Sequence, residues 1–183
     1  MSTQTQDQAG QAIGRLMLEE FDRELATARK FLARVPEDKL TWRPHAKSMT
    51  LGQLALHVAK VPGSLATLSK LDGLDAETVD FEPAQPSKAS EILPALEASI
   101  AEARAVLTAL DEESASGGWR LTAGPREVFT VPRIAFLRTL MLNHWYHHRG
   151  QLVVYLRLLD VPVPGVYGPS ADENPFAVGA ASA

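Results

Sequence analysis

The sequence predicts an all-α protein, a four-helix bundle. Three observations predict it. Four segments place apolar residues every three or four positions, the period of one helical face. Almost no stretch alternates apolar and polar residues as a half-buried strand does. The composition, 45% hydrophobic and 22% charged over 183 residues, is that of a globular chain with a packed core. The length fits a single domain over 1–183, ordered from about 11 to 176. The loops are long, so an up-down-up-down series of hairpins is only one way to join the helices.

The first helix runs from about Gln11 to Val35 on the stripe Met17, Phe21, Leu25, Ala28, Leu32, and Pro36 stops it. The second runs from about Thr50 to Leu71 on Leu51, Leu54, Val58, Val61, Leu65 and Leu68. Ser48 or Thr50 is its N-cap. Pro62 lies inside it and should kink or split it, because the carbonyl one turn back loses its donor. The third spans about Lys88 to Glu112, capped by Ser87, with Pro94 early enough to be tolerated. The fourth spans about Pro132 to Leu159 on Leu137, Met141, His144, His148, Leu152, Tyr155 and Leu159.

Three irregular stretches separate them. The first, 36–49, holds Trp42, Pro44 and His45. The second, 72–86, is acidic and carries prolines. The third, 114–131, flanks Gly124-Pro125 with WRLT and EVFTV, a pattern that allows a small hairpin. The tail from Val161 has four Pro and three Gly, so it is not helical, and its end, AVGAASA, is expected to fray.

Composition also excludes chemistries. With no Cys there is no disulfide, thiolate zinc site, iron–sulfur cluster or cysteine nucleophile. A net charge of -4 without a basic stripe argues against a nucleic-acid partner. No apolar run is long enough for a membrane span, and the polar N-terminus lacks a signal-peptide core, so a cytoplasmic location is expected. Metal chemistry would have to use His and carboxylates.

Three of the five His fall on the predicted inner faces. His144 and His148 are four apart and share a face. His57 lies three after Leu54 and four before Val61. Buried imidazoles cost free energy unless both ring nitrogens find partners. One divalent cation would satisfy all three rings and leave open positions for water or substrate, the form of a catalytic site. Hydrogen-bonded core histidines are the other reading, and spacing alone leaves both open. Trp145 follows His144, so no HExxH zinc-protease motif exists.

Other residues have paired readings. His147 points about 100° from His148 and is a support or substrate contact, or a partly exposed polar group. Arg149 anchors an anionic substrate, or ties the helix to the tail through Asp172 or Glu173. Gly150 permits close helix packing. Gln151 can support His148 from behind. Trp42, Asn143 and Trp145 line a pocket or belong to the core. Tyr167 begins a turn folding the tail back, with its hydroxyl as a possible ligand contact.

The stretch NHWYHHRGQLVVYLRLLDVPVPGVYGPSADE, with His144, His148 and Arg149-Gly150-Gln151, resembles the C-terminal signature of the DinB/YfiT-like superfamily. LTWRPHAKSMTLGQLALHVA resembles the family's entry to helix two, which ends in His57. The resemblance implies an up-down-down-up bundle with a long crossover. It implies one divalent ion (Zn, Ni, Fe, Co or Mn) held by His57, His144 and His148. It further implies a metal-dependent enzyme acting on a small molecule, either a transferase using a low-molecular-weight thiol such as mycothiol, bacillithiol or glutathione, or a hydrolase. The alternative is a non-catalytic metal-binding or stress-associated bundle protein. A homodimer is also implied.

Overall fold

A computed structural model describes residues 3–174 and 176, with side-chain surroundings from residue 12. The expected fraying of the last residues lies outside the described residues. Helix α1 covers Thr3–Leu32, α2 Leu51–Leu68, α3 Ile92–Ala109 and α4 Glu112–Ser116. Helix α5 (Arg133–Phe136), a π-helical stretch (Leu137–Asn143) and α6 (His144–Leu158) run on as one long rod.

The fold is predominantly helical but not purely so. Strands β1 (Gly73–Asp75), β2 (Gly118–Ala123) and β3 (Arg126–Pro132) form a three-stranded sheet in that order. The hairpin read from the 114–131 stretch is β2–β3, antiparallel, with Trp119 opposite Val131. Gly124 makes its turn at φ 57°, a conformation in which glycine carries no steric penalty. The third strand corrects the all-α expectation. β1 is Gly-Leu-Asp, too short for a period, and its partner is distant β2, paired parallel from Gly73 with Arg120. Asp75 Oδ1 ties it to the hairpin by accepting from Gly124 N–H at 2.9 Å.

The element boundaries follow from local chemistry. α1 begins earlier than Gln11, since nothing in the polar Gln-rich start breaks a helix, and it ends before Val35 because Pro36 disfavours helical geometry at the residue preceding it. Thr50 caps α2 by accepting from Gln53 N–H at 3.1 Å, while Gln53 Oε1 accepts from Thr50 N–H at 2.9 Å. Ser87 is not the cap of α3. Glu91 instead accepts from the Ser87 and Lys88 N–H groups at 3.1 and 3.0 Å, and a turn of 3-10 helix, Ala89–Glu91, leads in. Pro94 falls in the first turn of α3, where its missing donor costs nothing.

Pro62 neither kinks α2 apart nor splits it. Two neighbours hydrogen-bond the α2 backbone around it, and one of them replaces the donor it lacks. Trp145 Nε1–H donates to the Val58 carbonyl at 2.9 Å, four residues before the proline. Ser99 Oγ accepts from Gly63 N–H at 2.8 Å and donates to the Lys60 carbonyl at 3.1 Å. A Cβ on Gly63 would stand 2.7 Å from Ser99 Cα, so this glycine lets α2 and α3 touch.

Cross-contacts give the helix directions. Arg29–Glu97 and Arg104–Asp22 ion pairs set α1 and α3 antiparallel. Met49 with Tyr155, Val58 with Trp145, and Ser69 with Arg133 set α2 antiparallel to the long rod. Glu20 with Arg138 and Glu24 with Arg149 set α1 parallel to it. One continuous core joins Phe21, Leu25, Leu54, Val58, Leu96, Leu107, Met141, Trp145 and Leu152, all buried. Trp119 docks the sheet on this core, 4.2 Å from the Phe136 ring.

Candidate metal centre

The buried row of α6 is Trp145, Arg149, Leu152 and Leu156. Leu152 is shared with the row read from the sequence, but Trp145, Arg149 and Leu156 are buried where that reading placed His144, His148 and Tyr155, one residue earlier. One residue is about 100° of helix, so His144 and His148 sit half-buried on the flank of the core. The π-helical stretch just before them shifts the register: His144 N–H donates back to the Thr139 carbonyl, five residues away. Such stretches concentrate at functional sites. Across the interface, α2 presents His57, also half-buried.

The three imidazoles converge. One nitrogen from each lies within 4.8 Å of the others. His57 Nε2 is 3.4 Å from His144 Nε2, which is 2.7 Å from His148 Nε2. On its far side, His148 Nδ1 faces Gln151 Oε1 at 2.8 Å. An amide oxygen accepts, so Nδ1 carries the proton and Nε2 keeps its lone pair. The 2.7 Å between the His144 and His148 nitrogens is a hydrogen-bond distance, shorter than the spacing of two ligands on one ion. A tetrahedral ion with metal–nitrogen bonds of about 2.1 Å spaces its nitrogens about 3.4 Å apart. The His57–His144 pair already stands there, and the His144–His148 pair needs to open by about 0.7 Å. Three neutral imidazoles with a supported outer nitrogen therefore fit a divalent first-row ion.

The electrostatics favour the neutral, ligating form. Burial first, then repulsion from His148 and His144, lowers the His57 pKa from 6.5 to about 4. Burial also lowers His144 and His148, opposed by the Leu140 backbone at the first and by Gln151 at the second.

An open cleft of about 460 Å³ borders the cluster. It is lined by Gln53, His57, Lys60 and Ser64 of α2, by the crossover around Phe81, and by His144. Sequence reading missed the crossover as part of the lining. Its acidic, proline-bearing loop carries no periodic signal, and only the fold lays it against α2.

The other singled-out residues divide. Gln151 contacts the cluster directly. His147 is exposed, with its ring 5.0 Å from that of His148. Arg149 is 3% exposed and is a structural tie, but not to Asp172 or Glu173, which pair with Arg157 and Arg34. It binds Glu24 at 2.6 Å and the Tyr167 hydroxyl at 2.7 Å, and its guanidinium lies 5.2 Å from the Tyr146 ring centre. The Tyr167 hydroxyl donates to Glu24 at 3.1 Å, which fixes the tail turn to α1. Gly150 is not a packing glycine, since a Cβ there would meet nothing within 4 Å. Trp42 packs edge-on against Tyr155, two turns beyond His148, and Asn143 and His45 are exposed.

Comparison with known proteins places the fold in a family. The model of the DinB family matches residues 1–175. The chain belongs to the DinB family. A relative within reach by sequence is the uncharacterized protein YrdA of Bacillus subtilis, 26% identical over 162 residues, which are 85% of this chain and 89% of YrdA. A DinB-like crystal structure from Bacillus cereus is 25% identical with a TM-score of 0.62, covering 82% of this chain and 95% of that one. The DinB-like protein YjoA of Bacillus subtilis shares the fold at 17% identity and a TM-score of 0.64, over 85% of this chain and 99% of its own. This DinB protein thus pairs a shared helical fold with a clustered three-His site compatible with metal binding.

Proposed function

We propose that this DinB protein is a metal-dependent enzyme acting on a small molecule, with His57, His144 and His148 as the ligands of one divalent ion. The observation that carries the reading is the convergence of three Nε2 atoms with the outer nitrogen of His148 held by Gln151. A bound divalent ion supplies Lewis acidity, which activates a thiol or water nucleophile at neutral pH. The chain's own residues do the rest. Partial burial keeps the rings unprotonated, and Gln151 orients His148. The cleft shares His57 and His144 with the cluster, so a small molecule lying along Val61, Leu65 and Phe81 meets the imidazoles. Lys60, one turn beyond His57, adds a cationic group to the cleft lining.

The reaction is thiol transfer to, or hydrolysis of, that small molecule. With no cysteine in the chain, a reacting thiol arrives as cosubstrate. The homodimer and the cytoplasmic setting belong to the same proposal. Among the described residues no helix is long and apolar enough to cross a membrane.

Elemental analysis of the purified protein tests the metal. Wild type is expected to carry close to one divalent ion per chain, and His148→Ala to lose it. Equal metal in the two proteins refutes the assignment. Thermal shift against glutathione, mycothiol and bacillithiol then tests the chemistry, since a ligand of the folded state raises Tm. Metal without any thiol response supports hydrolysis or non-catalytic binding.

A further inference from the structure

The spacing between the two halves of the site has its own support. His57 comes from α2, and His144 and His148 come from α6. Their neighbours in sequence, Val58 and Trp145, are fully buried. The Trp145 indole N–H donates to the Val58 carbonyl at 2.9 Å. In an uninterrupted helix that carbonyl belongs to the N–H of residue 62. Residue 62 is proline and has none. A buried carbonyl without a partner is costly, so α2 has to receive a donor from outside itself. Trp145 is the donor it receives, and it stands immediately beside His144.

We propose that Pro62, the Val58 carbonyl and the Trp145 indole form a positioning lock that sets the distance between His57 and the α6 histidines. The proline creates the vacancy, the indole fills it, and the adjacent imidazoles are held at the 3.4 Å separation of their Nε2 atoms. Trp145 and Pro62 touch no substrate; they act through the ligands. The inference rests on the metal reading above only in its consequence for affinity. The contact itself is a property of the metal-free chain.

Three variants test it: Trp145→Phe, Pro62→Ala, and the two combined. Trp145→Phe keeps a ring but loses the donor. Pro62→Ala returns an N–H to the Val58 carbonyl and makes the indole dispensable. The cycle cancels the packing loss that both Trp145→Phe proteins share. Co2+ is titrated into metal-free protein and followed by its visible absorption. Trp145→Phe is expected to bind about tenfold to a hundredfold more weakly than wild type, the usual effect of losing a ligand's support. Pro62→Ala is expected to stay within about threefold of wild type, and the double variant within about threefold of Pro62→Ala. A Trp145→Phe protein that binds as tightly as wild type, or a loss undiminished by Pro62→Ala, overturns the proposal.

A wild type that binds no Co2+ overturns the metal reading instead. The nuclear Overhauser effect between the His57 and His144 rings, whose centres lie 5.2 Å apart, then decides the lock. It is expected in metal-free wild type and the double variant, and lost in Trp145→Phe. Its persistence in Trp145→Phe overturns the proposal. If Trp145→Phe fails to fold, exchange of the indole N–H in wild type decides. Protection equal to that of core amides supports the lock, and exchange as fast as in free tryptophan overturns it.

Discussion

Replacing Arg149 by Met should unfasten the tail and α1 from the helix that carries His144 and His148. The guanidinium is 3% exposed and the Glu24 side chain 16%. Met fills much of the same volume, so the loss is chiefly electrostatic. Removing one partner of a buried pair costs about 3–5 kcal/mol, because the other charge stays buried without its counter-ion. Glu24 keeps some water and the Tyr167 hydroxyl, which places the expected loss near the low end, about 3 kcal/mol. At about 2–4 °C per kcal/mol for a chain of this size, Tm should fall by about 6–12 °C. Urea unfolding is the direct assay, and the midpoint should move with the slope unchanged. Arg149→Met/Glu24→Leu should recover most of the loss, since no orphaned charge remains. A single-variant loss below about 1 kcal/mol, or a double variant no more stable than the single, refutes the reasoning.

Metal-free protein should lose stability on acidification, because the unfolded chain protonates His57 near 6.5 and the folded chain only near 4. The contribution is complete above pH 6.5, falls through that window and is gone below 4; its partial exposure limits it to about 1–2 kcal/mol. Urea midpoints at pH 7 and pH 5 read it, and an unchanged midpoint refutes it. Gln151→Leu should weaken Zn2+ binding about tenfold by calorimetry, the low end of the usual range because water can replace part of the amide; an unchanged Kd counts against the support role. Gly63→Ala should destabilise by about 1–3 kcal/mol through its clash with Ser99. Gly150→Ala, with open space around the new methyl, should instead stabilise by up to about 1 kcal/mol. Equal effects at the two glycines, read by urea unfolding, would contradict the packing described.

What the sequence showed and hid follows from range of interaction. The four helices were legible because apolar periodicity is local, and the Thr50 cap because its partner Gln53 is three residues away. The β2–β3 hairpin was legible for the same reason, since Gly124-Pro125 marks its turn. Strand β1 was not, because its pairing with Arg120 to Thr122 leaves no mark in Gly-Leu-Asp itself. The end of α3 at Ala109 was missed because Leu110 continues the apolar pattern one step past it. Of the site, the histidine trio and Gln151 could be named from spacing and resemblance. Arg149 was assigned to the wrong acids because Glu24 and Tyr167 lie far from Asp172 in sequence but converge in space. The fate of Pro62 was unreadable for the same reason: the donor that satisfies the Val58 carbonyl comes from another helix.

The shift of burial from His144, His148 and Tyr155 to Trp145, Arg149 and Leu156 changes what the three-His cluster can do. Had His144 and His148 occupied the centre of the core, their desolvation would be complete and no small molecule could reach them. The row that does occupy it, Trp145, Leu152 and Leu156, is packed and rigid. The imidazoles are carried on its edge, where burial is sufficient to hold them neutral, the state that ligates a metal. The same edge faces the cleft lined by Lys60 and Phe81. Precision and access usually conflict in such a site, because groups near solvent are loosely held. Here they are divided between adjacent residues. Val58 and Trp145 supply the fixed distance from inside the core, and His57 and His144, one position away on each helix, present their nitrogens to the open side.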